Sequence, residues 1–164
     1  MKMKIVILKN GQIVSPEKYD WNFETKTFSS EEDGLVLDFG SLENVTIKCG
    51  NFCTIKCGWN CTINSGYSCT IKCGFGCTIK CGYSCTIRTY WNTEIVAGKN
   101  CILNYIYDEI CECYKLPEQK KCKILESGKL ELIQEKTETE LQIEKLRSEL
   151  NLLEQKYLQE KSGK

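Results

Sequence analysis

Between Val45 and Asn92 one eight-residue phrase runs six times in succession: VTIKCGNF, CTIKCGWN, CTINSGYS, CTIKCGFG, CTIKCGYS and CTIRTYWN. The register then fades but persists, because Ile95, Gly98, Cys101 and Leu103 fall where Ile, Gly, Cys and Ile are due. Self-similarity at a fixed short period marks a repeat architecture, in which each unit packs against its neighbours.

Within a unit, Cys69, Ile71 and Cys73 share one parity and Thr70 and Lys72 the other. Alternation with period two is the pattern of a half-buried strand, here with Thr and Lys in water. The β-branched Ile and Thr favour that conformation. Glycine follows at 50, 58, 66, 74 and 82 and is expected to make the turn, since it reaches positive φ without steric cost. An aromatic residue comes next (Trp59, Tyr67, Phe75, Tyr83, Trp91), then Asn60, Ser68, Gly76 or Ser84.

A strand and a corner every eight residues suit a β-meander or a parallel β-solenoid. Repetition favours the solenoid, because stacked coils bring each side chain about 4.8 Å from its own kind. Two units per coil would give two flat sheets and three a triangular section; two is the preferred reading. Ile47, Ile55, Ile63, Ile71, Ile79 and Ile87 then form the core line, flanked by cysteines packing as small hydrophobes, with the aromatics stacked at the corners.

The flanks read differently. Residues 1–44 are expected to be a β cap over the open first coil. Lys4 to Leu8, Asn10-Gly11 and Gln12 to Val14 form a hairpin, Tyr19 to Phe23 a short strand, Thr25 to Asp33 a loop, and Gly34 to Phe39 a strand with Phe39 in the isoleucine place. Residues 45–103 are the solenoid. Residues 104–128 form a closing β segment: a strand pair over Asn104 to Leu116, a stop at Pro117, and one more strand over Lys120 to Leu125. Residues 129–164 lack Pro, are rich in Glu, Lys, Gln and Leu, and are expected to form a C-terminal helix. In it Ile143, Leu146, Leu150, Leu153 and Tyr157 alternate steps of three and four, the seam of a coiled coil. A helix this polar is marginal alone, so it is expected to pair with copies of itself through that seam, the alternative being to pack on the solenoid. The fold class is thus mainly β, a short solenoid of octapeptides with an N-terminal cap and a C-terminal helix.

Charge and cysteine content limit the function. The net charge is zero, but residues 45–103 carry six basic groups against one acid. There is no histidine, the commonest general base and metal ligand. Thirteen cysteines invite a disulfide reading. The count is odd, however, and Ser65 and Thr89 replace cysteine in two units, which would strand partners. Free buried thiols in a reducing compartment are the simpler account. The N-terminus has no signal-peptide pattern, and no segment is long enough to span a bilayer.

No cofactor and no metal is expected. Cysteines four apart on one strand lie about 13 Å apart, too far to share an ion at ligand distances near 2.3 Å. Cys111 and Cys113, with Cys122 nearby, are a weaker metal suggestion. The outward threonines 46, 54, 62, 70, 78 and 86 lack the second threonine column of ice-binding surfaces. The column Lys48, Lys56, Lys72, Lys80 and Arg88 is a candidate anion-binding stripe, against the plainer reading of a solvated face with edge lysines. No nucleophile elbow, phosphate-cradling loop or carboxylate pair occurs in the repeat, so no enzyme is expected.

The units from Cys53-Thr54-Ile55-Lys56-Cys57-Gly58 onward resemble a family of repeat proteins in tailed bacteriophages, whose units read Asn-Cys-Thr-Phe-Lys-Thr-Gly-x. Cys101-Ile102-Leu103 is similar to that family's exit strand and Leu116-Pro117-Glu118 to its closing segment, so the resemblance covers about residues 45–125. Ile stands here for Phe, and a second Cys for Thr. The resemblance implies phage origin and a solenoid, hence a location in the host cytoplasm or in the virion, and brings no catalytic residues. The expected function is therefore a non-enzymatic phage structural or assembly protein, self-associating through its ends and its helix. The alternative is a binding module of the infected cell, holding nucleic acid or a host protein on its Lys/Thr face.

Overall fold

The computed structural model describes residues 5–107, 110–134 and 138–162. Strand pairing in the repeat has an offset of sixteen residues: Thr54 pairs with Thr70, Ile55 with Ile71 and Lys56 with Lys72, and Ile63 pairs with Ile79. Sixteen residues are two octapeptides, so alternate units stack on opposite sheets. The chain is a parallel β-solenoid of about five turns followed by one helix.

The first sheet contains β1 (Val6–Lys9), β2 (Gln12–Ile13), β5 (Leu35–Asp38), β7 (Thr54–Lys56), β9 (Thr70–Lys72), β11 (Thr86–Thr89), β13 (Ile102–Tyr107) and β14 (Ile110–Lys115). The second contains β3 (Asp20–Asn22), β4 (Thr27–Ser29), β6 (Thr46–Cys49), β8 (Thr62–Ser65), β10 (Thr78–Cys81), β12 (Glu94–Ala97), β15 (Lys121–Ile124) and β16 (Leu130–Leu132). Each sheet sends one apolar ladder inward. In the first it runs Leu37, Ile55, Ile71, Ile87, Leu103, and in the second Phe28, Ile47, Ile63, Ile79, Ile95, Cys122. All of these side chains are buried, and each large apolar one contributes about 1.5–3 kcal/mol relative to exposure.

The solenoid begins earlier than the repeat does. The segment expected to be a loop contains β4, which pairs in parallel with β6 and places Phe28 beneath Ile47. Three residues of strand between polar neighbours carry too little periodicity to be read from sequence. The isoleucine place one coil before Ile55 belongs to Leu37, and Phe39 instead lies below Cys57, donating its backbone N–H to the Lys56 carbonyl at 2.8 Å. Two extra residues in that coil shift the count.

Antiparallel strands close both ends. The expected hairpin is present: Leu8 pairs with Ile13 across Asn10 and Gly11, whose φ values of 53° and 76° fit a type I′ turn. β13 and β14 form the expected closing pair, and β15 lies antiparallel to β12. The helix starts later than residue 129, because Leu130–Leu132 is used as β16 against β15. Here the chance to continue a sheet outweighs helix propensity. The helix α1 spans Glu138–Ser162 and belongs to a separate compact unit, 134–164.

The repeat glycines do not supply the positive φ. That conformation falls on the last residue of the unit, at Asn60, Ser68, Gly76, Ser84, Asn92 and Asn100, with φ between 52° and 69°. The glycines serve close approach instead. A Cβ on Gly82 would sit 2.9 Å from the Tyr67 nitrogen and 3.0 Å from the Gly66 carbonyl carbon in the coil below.

Candidate functional site

The fifth residue of each unit lies at or just past the end of a strand on one sheet, and the first residue of the next unit immediately precedes a strand on the other. The two therefore face each other inside a corner. One corner collects Cys49, Cys53, Cys69, Cys81, Cys85 and Cys101, with Ser65 and Ala97 at the remaining fifth positions. The other collects Cys57, Cys61, Cys73 and Cys77, capped by Thr89 and Thr93. Two internal columns of thiols result, and all described cysteines are free.

The first-position thiols are bonded in a regular way. Cys85 donates S–H to the Gly66 carbonyl at 3.4 Å and Cys101 to the Gly82 carbonyl at 3.1 Å. In return the Cys69 backbone N–H donates to the Cys85 sulfur at 3.4 Å, and that of Cys85 to the Cys101 sulfur at 3.3 Å. The Sγ atoms of Cys81, Cys85 and Cys101 all lie within 4.8 Å of one another, and all three residues are buried. Hydrogen bonding from Cys85 draws the Cys81 thiol below its ordinary range, against the effect of burial. Its bonds with Cys69 and Cys81 push Cys85 up, and burial pushes Cys101 up.

The sequence reading sets cysteines four apart along one strand and lets neighbouring coils bring two together, and it is the corner that adds the third. Cys81 and Cys85 are four apart around a corner. The signal Cys-x3-Cys-x15-Cys becomes readable once the coil is known to be sixteen residues long. Of the weaker metal suggestion, Cys113 is exposed and Cys122 buried, with its thiol on the Ile95 carbonyl at 3.4 Å. The side chain of Cys111 lies outside the described residues.

The five basic residues do not form one stripe. Lys56, Lys72 and Arg88 stand in register on the first sheet, while Lys48 and Lys80 are on the second, separated by Asn64. Two units per coil divide the column in this way. Lys56 is also paired with Asp38 at 3.1 Å. The aromatics do stack at the corners: Tyr67 lies on Tyr83 at 4.8 Å with parallel rings, and Phe75 on Trp91 at 5.1 Å. Ile143, Leu146, Leu150, Leu153 and Tyr157 on α1 are all exposed, at 45–61 %.

Comparison with protein-family models, curated proteins and solved structures gives no match for this chain. No helix among the described residues is long and apolar enough to cross a membrane.

Proposed function

We propose that this chain is a non-enzymatic structural or assembly protein of a bacteriophage, a rigid β-solenoid joined to further copies of itself through its C-terminal helix. The observation that carries this reading is the exposure of all five seam residues of α1. Over 25 residues the helix is roughly 37 Å long, and its apolar residues at heptad spacing suit knobs-into-holes packing with a second copy. The solenoid ends suit assembly less well. Each is covered by antiparallel strands and does not present a bare repeat edge. Phage origin is supported by the resemblance of the CTIKCG units and the two segments that follow them.

Light scattering on a sizing column tests the reading with the full chain under reducing conditions. A defined oligomer that Leu146→Glu with Leu150→Glu dissolves to a monomer is the expected result. A native chain that stays monomeric at high concentration overturns it.

A second reading rests on the three cations in register on the first sheet, beside Thr54, Thr70 and Thr86. A nucleic acid laid along that face would bind with a steep salt dependence. Lys72→Glu with Arg88→Glu would abolish it, whereas a host protein held there would show a weaker salt slope.

A further inference from the structure

We propose that Cys81, Cys85 and Cys101 form a three-coordinate thiolate site for a soft monovalent cation of the cuprous type. This goes beyond the assembly reading and does not depend on it. The argument starts from geometry. Three sulfurs about 2.3 Å from one ion stand about 4 Å apart in a trigonal array, and the three Sγ atoms here already lie within 4.8 Å of one another. Small rotations about the Cα–Cβ bonds close the difference.

The number and kind of donors choose the ion. Thiolates select soft metals, and Cu(I) is the softest of the common ones. Structural zinc takes four protein ligands. Ala97, level with Cys81 in the neighbouring strand, offers no thiol from the next coil, and Cys69, one coil below, bonds to Cys85 but is not among the sulfurs that all lie within 4.8 Å of one another. Ile79, Ile87 and Leu103, each two residues along the chain from one of the three cysteines, are buried, as the cysteines are, so water is poorly placed to complete a tetrahedron.

The second shell is already in place for two ligands. Backbone N–H groups of Cys69 and Cys85 point at the sulfurs of Cys85 and Cys101, and donors to sulfur favour the thiolate. On binding, each ligating thiol releases its proton to solvent and the S–H bonds to Gly66 and Gly82 are given up. A surface pocket of about 360 Å³ lies against this corner, lined by Gly82, Tyr83, Gly98, Lys99 and Glu118. Gly82, which lines it, directly follows Cys81 in the chain.

The test uses the full, reduced chain without oxygen and Cu(I) delivered from bicinchoninate. Substitutions follow the repeat itself, which uses Ser65 at the fifth position and Thr93 at the first, so Cys81→Ser and Cys101→Thr place side chains that the corners already hold. Cys77→Thr in the other column is the matched control. The native chain and Cys77→Thr are expected to hold one equivalent of Cu(I) that Cys81→Ser and Cys101→Thr do not, with the ultraviolet thiolate-to-copper absorption falling in step. Sulfur-only, three-coordinate copper by X-ray absorption is the expected signature. The proposal is overturned if the native chain takes no Cu(I) from the chelator, or if Cys81→Ser retains as much as the native chain. It is equally overturned if Cys77→Thr loses as much as Cys81→Ser. Should Cys101→Thr lose its circular-dichroism signature, Cys81→Ser against Cys77→Thr decides alone.

Discussion

Thr89 and Thr93 are four residues apart and face each other inside one corner, their hydroxyl oxygens 2.9 Å apart. Both are buried. Thr89 also donates to the Gly74 carbonyl at 2.8 Å and accepts the Cys73 thiol at 3.3 Å. The pair occupies the fifth and first positions that elsewhere hold cysteines, so it shows what the corner requires: two small side chains that meet, with any polar hydrogen placed.

Thr89→Val removes a hydroxyl on which its partner depends. A buried hydroxyl left unsatisfied costs about 1–3 kcal/mol, and urea unfolding should show a loss of that size. Replacing both residues by cysteine restores the arrangement of Cys73 and Cys77 and is expected to recover most of the loss. A double cysteine variant no more stable than Thr89→Val would sink the corner argument.

Ser65 is the converse case. It interrupts the thiol column of the other corner, and its buried hydroxyl has no hydrogen-bond partner. Ser65→Cys replaces that hydroxyl with a sulfur that tolerates an apolar setting. A gain of about 1 kcal/mol in unfolding free energy is expected. An unchanged or lowered urea midpoint would show that Ser65 is already satisfied.

The glycines and the left-handed residues make opposite predictions. Gly82→Ala forces a methyl against the backbone of the coil below, at a cost of about 1–3 kcal/mol. Ser84 has φ 57°, so Ser84→Gly relieves about 1 kcal/mol of left-handed strain, which offsets the greater freedom of the unfolded chain. Thermal unfolding should therefore separate the two variants clearly. Equal losses would mean that the turn, not close approach, fixes glycine at position 82.

These contrasts mark what the sequence reveals and what it hides. Parity within the octapeptide exposed the strands, the isoleucine ladder and the aromatic corners, because side chains in a strand alternate and coils stack like on like. Coil length is a property of the corner, and the sequence points to the glycine as the turn residue, whereas the positive φ falls two residues later, as at Ser84. The sixteen-residue period was therefore the preferred of two open readings, and pairing decided it. The division of Lys56 from Lys80 follows from that reading, whereas the meeting of Cys81, Cys85 and Cys101 needed the corner geometry. Phe28 was hidden for another reason: it fills an isoleucine place from outside the repeat, flanked by Thr27 and Ser29, where only the neighbouring Ile47 identifies it.

Cys122 closes the ladder of the second sheet over Ile95, and its thiol is buried under the capping strands. Burial alone pushes it up from about 9.0 to about 11. In the unfolded chain the thiol ionises near its ordinary value, whereas in the folded protein it keeps its proton for longer. Its contribution to stability is therefore complete below about pH 9 and is lost as the pH rises through about 11. Urea midpoints measured from neutral pH to about pH 11 under reducing conditions should fall for the native chain. Cys122→Ala has nothing to ionise there, so its midpoints should fall less steeply across the same window, while the two curves run parallel below it. Curves that stay parallel throughout would mean that Cys122 is as exposed to solvent as a thiol in the unfolded chain, and that the cap over the second sheet is open.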